Sequence, residues 1–211
     1  MTQPERERTR TAVERSEHDL LAALAGLDDA AAAGPSALPG WSRGHVLTHL
    51  ARNAETFIEA LEGAKRGEIR TMYGGSVQAR NEAIEAGAGR SAAALLADVA
   101  ETSSRLHDLL QGLAPEGWER QVRHLRGDLL RLHDVLWMRW QEVEIHRVDL
   151  ALGYRPGDWP TDFIEGNLPR QLARLPERAP GVTAPERPPA ELLGWLYGRG
   201  AADLPVLPAW P

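Results

Sequence analysis

The chain has 211 residues, enough to bury a full core and to carry one domain with a small appendage. It contains no cysteine, which excludes a disulfide framework, a thiolate zinc knuckle and a cysteine nucleophile together. Net charge is −6, with no basic cluster interleaved with aromatics, so nucleic acid is not an expected partner.

Five stretches read as helical in the first three-quarters of the chain. Residues 5–33 place Val13, Leu20, Leu21, Leu24 and Leu27 at three-to-four spacing and end at the breaker Gly34-Pro35. Residues 42–66 put Val46, Leu47, Leu50, Ala54, Phe57, Ile58 and Leu61 on one stripe, with Ser42 as N-cap. A short helix follows Ser76 to Glu85, and Ser91 caps another that runs to Gly112. Gly127-Asp128 is expected to start the longest, which runs to Leu152 and stops at Gly153-Tyr-Arg-Pro-Gly157. Long amphipathic helices with almost no strand alternation predict a mainly α fold, a four-helix bundle over residues 1–155. Residues 156–211 form a second, short region. Helices at 161–175 and 189–198 flank a proline-rich stretch, and Leu204 to Pro211 reads as extended.

The charged N-terminus has no apolar stretch of signal-peptide type behind it, and no run approaches the roughly 18 apolar residues of a membrane span. A cytoplasmic protein is expected, without membrane partners. Only Lys65 is a lysine, so anion recognition falls to arginine, whose planar fork suits carboxylates. Sequence leaves the oligomeric state open.

Within Leu136–Leu150, Glu142 and His146 stand four residues apart. On a helix they share a face, and a carboxylate and an imidazole so placed can grip one metal ion. His49 on the earlier stripe offers a third ligand. Two histidines and a carboxylate with an open fourth position match a catalytic zinc rather than a structural one. The bland alternative is a surface ion pair worth a few tenths of a kcal/mol. His45 and His49 are also four apart and compete as a pair, whereas Glu144 and His146, two apart, do not share a face. The apolar neighbours Val135, Leu136, Trp140, Val143 and Val148 favour the metal, because a charge inside a bundle is costly unless paired or bound. His45 could orient a ligand from one turn away. Asp149 could support His146 only if the backbone bends, and His107, His124 and His133 read as surface or capping residues.

Three segments together resemble the mycothiol-dependent maleylpyruvate isomerases, a family of DinB-like metalloenzymes. They are Gly40-Trp-Ser-Arg-Gly-His-Val-Leu-Thr-His-Leu50, the stretch Met72-Tyr-Gly-Gly-Ser-Val-Gln-Ala-Arg-Asn-Glu-Ala-Ile-Glu85, and Leu136–Leu150. The resemblance returns in Leu192-Leu-Gly-Trp-Leu-Tyr-Gly-Arg-Gly200 and Leu204–Trp210. It implies a DinB-like four-helix bundle whose His49, Glu142 and His146 hold a divalent metal, zinc in the family. It implies that Arg80 and Arg199 occupy active-site arginine positions, each clamping a substrate carboxylate. It further implies an external nucleophile, the low-molecular-weight thiol mycothiol, which adds to maleylpyruvate so that the cis bond can rotate to fumarylpyruvate in gentisate degradation. The family carries a small sterol-carrier-like α/β domain at its C-terminus. Here residues 176–189 are short and proline-rich, so the strands are expected to be lost or reduced to helix and loop. A mycothiol S-transferase would use the same site, and a non-enzymatic ligand-binding bundle would satisfy the triad internally.

Overall fold

The computed structural model describes residues 1–200 and 203–208. It divides into two compact units, residues 1–150 and 151–211.

The first unit is a helical bundle. Helix α1 (Gln3–Ala23) starts in a capping box in which Thr2 and Glu5 exchange hydrogen bonds. The single helix expected over 5–33 is interrupted: residues 24–28 leave helical geometry, and Asp28 caps a separate α2 (Asp29–Ala33) through a 2.7 Å bond from Ala31 N. Helix α3 (Arg43–Lys65) begins at Ser42, and every residue of the stripe from Val46 to Leu61 is buried. Helix α4 (Val77–Ala88) is capped by Ser76 and α5 (Ala92–Gln111) by Ser91. Helix α6 (Leu132–Asp149) completes the set. Helix α3 packs on α5 and α6, and α1 packs on α6 and α5, which closes a four-helix ring with α4 lying against α3. The α3–α4 approach is tight. A Cβ on Gly44 would sit 2.2 Å from the carbonyl oxygen of Ala88, so only glycine fits there.

Gly127-Asp128 does not open the last helix. It forms the turn of a short hairpin between β1 (Gln121–Arg123) and β2 (Leu129–Arg131), paired antiparallel with Val122 opposite Leu130. Gly127 takes φ +99°, and His124 N bonds Asp128 O at 2.8 Å. Helix α6 starts five residues later, with Asp134 accepting a bond from Arg131 N. Strands three residues long are too short to show an alternation in sequence.

Two apolar clusters fill the bundle. One lies around Phe57, Leu61, Leu106 and Leu136, the other around Leu20, Leu47, Leu50, Leu95 and Val143. Between them lies a buried polar layer. Arg139, 1% exposed, donates from Nε to Glu17 Oε1 (2.7 Å), from Nη1 to Leu50 O (2.8 Å) and Asn53 Oδ1 (2.9 Å), and from Nη2 to Ser103 Oγ (3.2 Å). His107 pairs with the other Glu17 oxygen, so it belongs to this layer rather than to the surface. His133 is buried too, whereas His124 accepts from Arg126 N in the hairpin turn. Beside the layer, Ser16 donates to the buried Glu144 (2.5 Å) and accepts from Trp140 Nε1 (3.0 Å).

The second unit contains α7 (Thr161–Arg178) and α8 (Pro189–Leu196). Its core joins Leu175, Ala179, Trp195, Leu196 and Leu207, and Phe163, Trp159 and Tyr197 form an aromatic cluster. Among its described residues there is no strand. Of the segment read as extended, 205–208 lie outside any helix or strand, and 209–211 lie outside the described residues. Among described residues no helix is long and apolar enough to cross a membrane.

Burial alone would raise the Glu17 carboxyl, but Arg139 and His107 outweigh it and hold it down at about 2. The pair therefore stabilises the fold fully above the ordinary carboxylate value and loses that contribution as pH falls from about 4.5 through about 2. Glu17→Gln is expected to cost roughly 3 kcal/mol at neutral pH, with the difference from the parent shrinking near pH 2. Urea denaturation at the two pH values measures it.

Candidate metal centre

His49 lies in the second turn of α3, and Glu142 and His146 lie on successive turns of α6. Because α3 packs on α6, the three side chains meet. His49 Nε2 is 2.8 Å and His146 Nε2 is 3.2 Å from the same Glu142 oxygen, and one donor atom from each residue lies within 4.8 Å of the others. The two imidazole rings stand nearly perpendicular with centroids 4.5 Å apart. Both histidines are buried, while the Glu142 side chain keeps 17% of its surface exposed. Donors spaced about 3.3 Å apart are what a tetrahedral zinc with N and O ligands near 2.0–2.1 Å requires. The residues present fit a divalent ion.

Asp149 completes the arrangement. Its Oδ2 accepts from His146 Nδ1 at 2.8 Å and is itself 1% exposed. No bend is needed, since i and i+3 share a helix face and Asp149 is the last residue of α6. A carboxylate on the far nitrogen turns Nε2 of the ring toward Glu142 and raises its basicity. His45, expected to orient a ligand, is occupied elsewhere. Its Nδ1 serves the cap at Ser42, and its Nε2 meets Glu85 at 3.1 Å, tying α4 to α3. Trp41 closes one side, with its ring edge-on to His49 at 5.9 Å.

The charges are arranged unequally. Burial, then His146, pushes His49 down to about 4, so it is neutral at physiological pH. Burial opposes ionisation of Glu142, but His49 and His146 outweigh it and keep the carboxyl well below its usual range. Burial also opposes protonation of His146, yet Asp149 and Glu142 raise it above the ordinary value.

Arg80, on α4, joins this group: Nη2 lies 3.3 Å from His49 Nδ1, and its guanidinium lies 5.7 Å over the Tyr73 ring. Arg199 belongs to the second unit, in the turn after α8, and donates to Tyr197 O at 2.6 Å. Tyr73 and Asn53 also border the group, and composition and spacing pointed to neither. Burial, with the charge of Glu142, pushes the Tyr73 hydroxyl up to about 12, against the pull of Arg80 and Asn53. The only trace of Tyr73 in the sequence is the Tyr-Gly-Gly run, a turn signal.

Residues 13–151 match the model of the mycothiol maleylpyruvate isomerase N-terminal domain. The chain belongs to that family. Among solved structures, this chain is similar to the mycothiol-dependent maleylpyruvate isomerase at 25% identity and a TM-score of 0.86, over 100% of both chains. A histidine-to-alanine mutant of that enzyme matches equally well. YfiT from Bacillus subtilis, described as a probable metal-dependent hydrolase with an unusual four-helix bundle topology, shares the fold. It is 16% identical with a TM-score of 0.58, over 72% of this chain and 88% of that one. The architecture is thus a DinB-like four-helix bundle with a small C-terminal extension. No curated protein matches the sequence.

Titration with zinc followed by calorimetry is expected to show one divalent ion per chain, abolished by Glu142→Ala. Asp149→Asn is expected to weaken binding about 10- to 100-fold while leaving the stoichiometry at one.

Proposed function

We propose that this protein is a cytoplasmic maleylpyruvate isomerase that uses mycothiol and holds one zinc ion at His49, Glu142 and His146, in the breakdown of gentisate. The observation that carries this reading is the convergence of two buried imidazoles and one ionised carboxylate, in a chain of this family and without a cysteine of its own. When bound, zinc and mycothiol supply a thiolate at neutral pH, which adds to the cis alkene, frees the resulting single bond to rotate and leaves again.

The protein's own residues do the rest. Glu142 stays ionised and the buried His49 stays neutral, so the pair presents one negative charge to a divalent ion. Asp149 holds the His146 ring so that Nε2 faces the same point. Trp41 and the walls of α3 and α6 keep water from the histidine side, and the partly exposed Glu142 side remains for substrate. The guanidinium of Arg80, beside His49, is a fork for one substrate carboxylate, fixing the diacid relative to the nucleophile. The assignment of Arg199 to the second carboxylate rests on the family resemblance of its Gly-Arg-Gly segment.

Loss of maleylpyruvate followed by ultraviolet absorbance tests the reading. Turnover by zinc-loaded protein is expected to require mycothiol and to vanish in His49→Ala. Arg80→Ala is expected to lower kcat/KM about 10²-fold. Protein that holds one zinc yet leaves maleylpyruvate unchanged would discard this substrate and leave a mycothiol transferase as the better account.

A further inference from the structure

Tyr73 sits in a backbone conformation that a tyrosine rarely takes. Its φ of 52° and ψ of 31° are left-handed, and Gly74 (φ 60°) and Gly75 (φ 80°) continue the same hand. The two glycines bear this freely, whereas a residue with a Cβ loses about 1–2 kcal/mol. The turn is held on several sides. Thr71 bridges to Arg123 of β1, Arg123 N bonds Arg70 O at 2.9 Å, and Met72 is buried. Tyr73 N donates to Thr56 Oγ1 on α3 at 2.7 Å, and Ser76 N returns to Tyr73 O at 3.1 Å. A strained residue that its surroundings over-determine is a pointer to function.

The strain delivers the ring to one place. It packs on the apolar cluster around Phe57, lies under the Arg80 guanidinium, and brings its hydroxyl beside Asn53 and Arg80 and within the field of Glu142. Arg139 donates to Asn53 Oδ1, leaving the Asn53 amide NH2 to face the hydroxyl, and arginine can only donate. Both neighbours can only donate to the Tyr73 oxygen, so the phenolic proton is left for an acceptor other than these two. Hydrogen bonds accepted by a hydroxyl strengthen the one it gives. Neither the diacid's carboxylates, which suit the arginines, nor the metal ligands need this donor.

We propose that Tyr73 contacts the substrate, its hydroxyl donating a hydrogen bond to the carbonyl oxygen that gains negative charge as a thiolate adds to the adjacent double bond. The inference rests on the isomerase reading above. As the sulfur–carbon bond forms, the alkene π pair moves into the neighbouring carbonyl as an enolate. When that bond breaks, the pair returns to the trans alkene. The proton stays on Tyr73 throughout, so no external acid or redox partner is consumed. A donor placed where charge develops, and already desolvated, stabilises the transition state more than the ground state.

Tyr73→Phe removes one O–H and keeps the ring, the Arg80 stacking and the left-handed turn. The expected result is a fall in kcat of about 10²-fold, with KM for mycothiol, zinc content and melting temperature as in the parent. A second readout does not use turnover. Acetopyruvate, a 2,4-dioxo acid, offers an enolate without an alkene, and its binding is followed by its ultraviolet band. Its affinity for Tyr73→Phe is expected to fall about tenfold, one hydrogen bond's worth. A kcat within about threefold of the parent, with unchanged acetopyruvate affinity, would overturn the inference, as would a lowered kcat that merely tracks lost zinc. If the parent itself leaves maleylpyruvate untouched, the isomerase reading fails separately, and acetopyruvate decides for Tyr73. Weaker binding by the variant supports the contact, and equal binding or none by the parent refutes it.

Discussion

Arg139 touches every helix of the bundle ring at once. From α6 it reaches Glu17 on α1, the Leu50 carbonyl and Asn53 on α3, and Ser103 on α5. An apolar side chain in its place could slide by a turn against equally apolar neighbours, whereas five fixed donors tolerate one alignment. The consequence is local and exact in register. Glu142 is three residues beyond Arg139 on α6, and Asn53 is four residues beyond His49 on α3. The alignment that satisfies the arginine is thus the one that brings His49 level with Glu142 and His146, one turn away. The buried layer that separates the two apolar clusters also sets the position of the donor cluster.

Around that cluster, each approach is made by a different kind of residue. Imidazoles are buried and held by Asp149 and by packing against Trp41, which keeps the ring planes apart and their Nε2 atoms convergent on Glu142. The carboxylate alone faces outward. Arg80 enters from α4, and the position of α4 depends on the absence of side chains at Gly44 and Gly87, where added Cβ atoms would meet Ala88 and Thr48. Charge and geometry reinforce one another, because a low-dielectric pocket makes every misplacement expensive.

Much of this was legible in the chain, and what was not has identifiable causes. The stripe on α3, the caps at Ser42 and Ser91 and the four-residue spacing of Glu142 and His146 are local signals, and local signals survive into the fold. His49 is singled out as a third donor by its residue type and by the family resemblance of the Gly40–Leu50 segment, since its helix also carries His45, Arg52 and Asn53. The break at residues 24–28 was hidden by alanines that are good helix formers on both sides of it. The hairpin escaped because each strand is three residues long and its turn glycine also suits a helix boundary. His107 looked solitary since its partner, Glu17, is 90 residues away. Asp149 reaches His146 without the bend that the sequence suggests it needs, because i and i+3 spacing suffices. The left-handed turn at Tyr73 depends on anchors from α3 and β1, which no window of sequence contains.

The hairpin at 121–131 contributes no side chain to the donor cluster, yet it works as a splint. By clasping residues 70 and 71 it fixes the stem of the turn that presents Tyr73 and, four residues after that turn begins its exit at Ser76, Arg80. Length changes at its tip are absorbed in solvent, whereas a change in its pairing would be transmitted to the turn. Two peripheral strands of three residues therefore set, from a distance, how Tyr73 and Arg80 are presented, while the donor atoms are placed by α3 and α6.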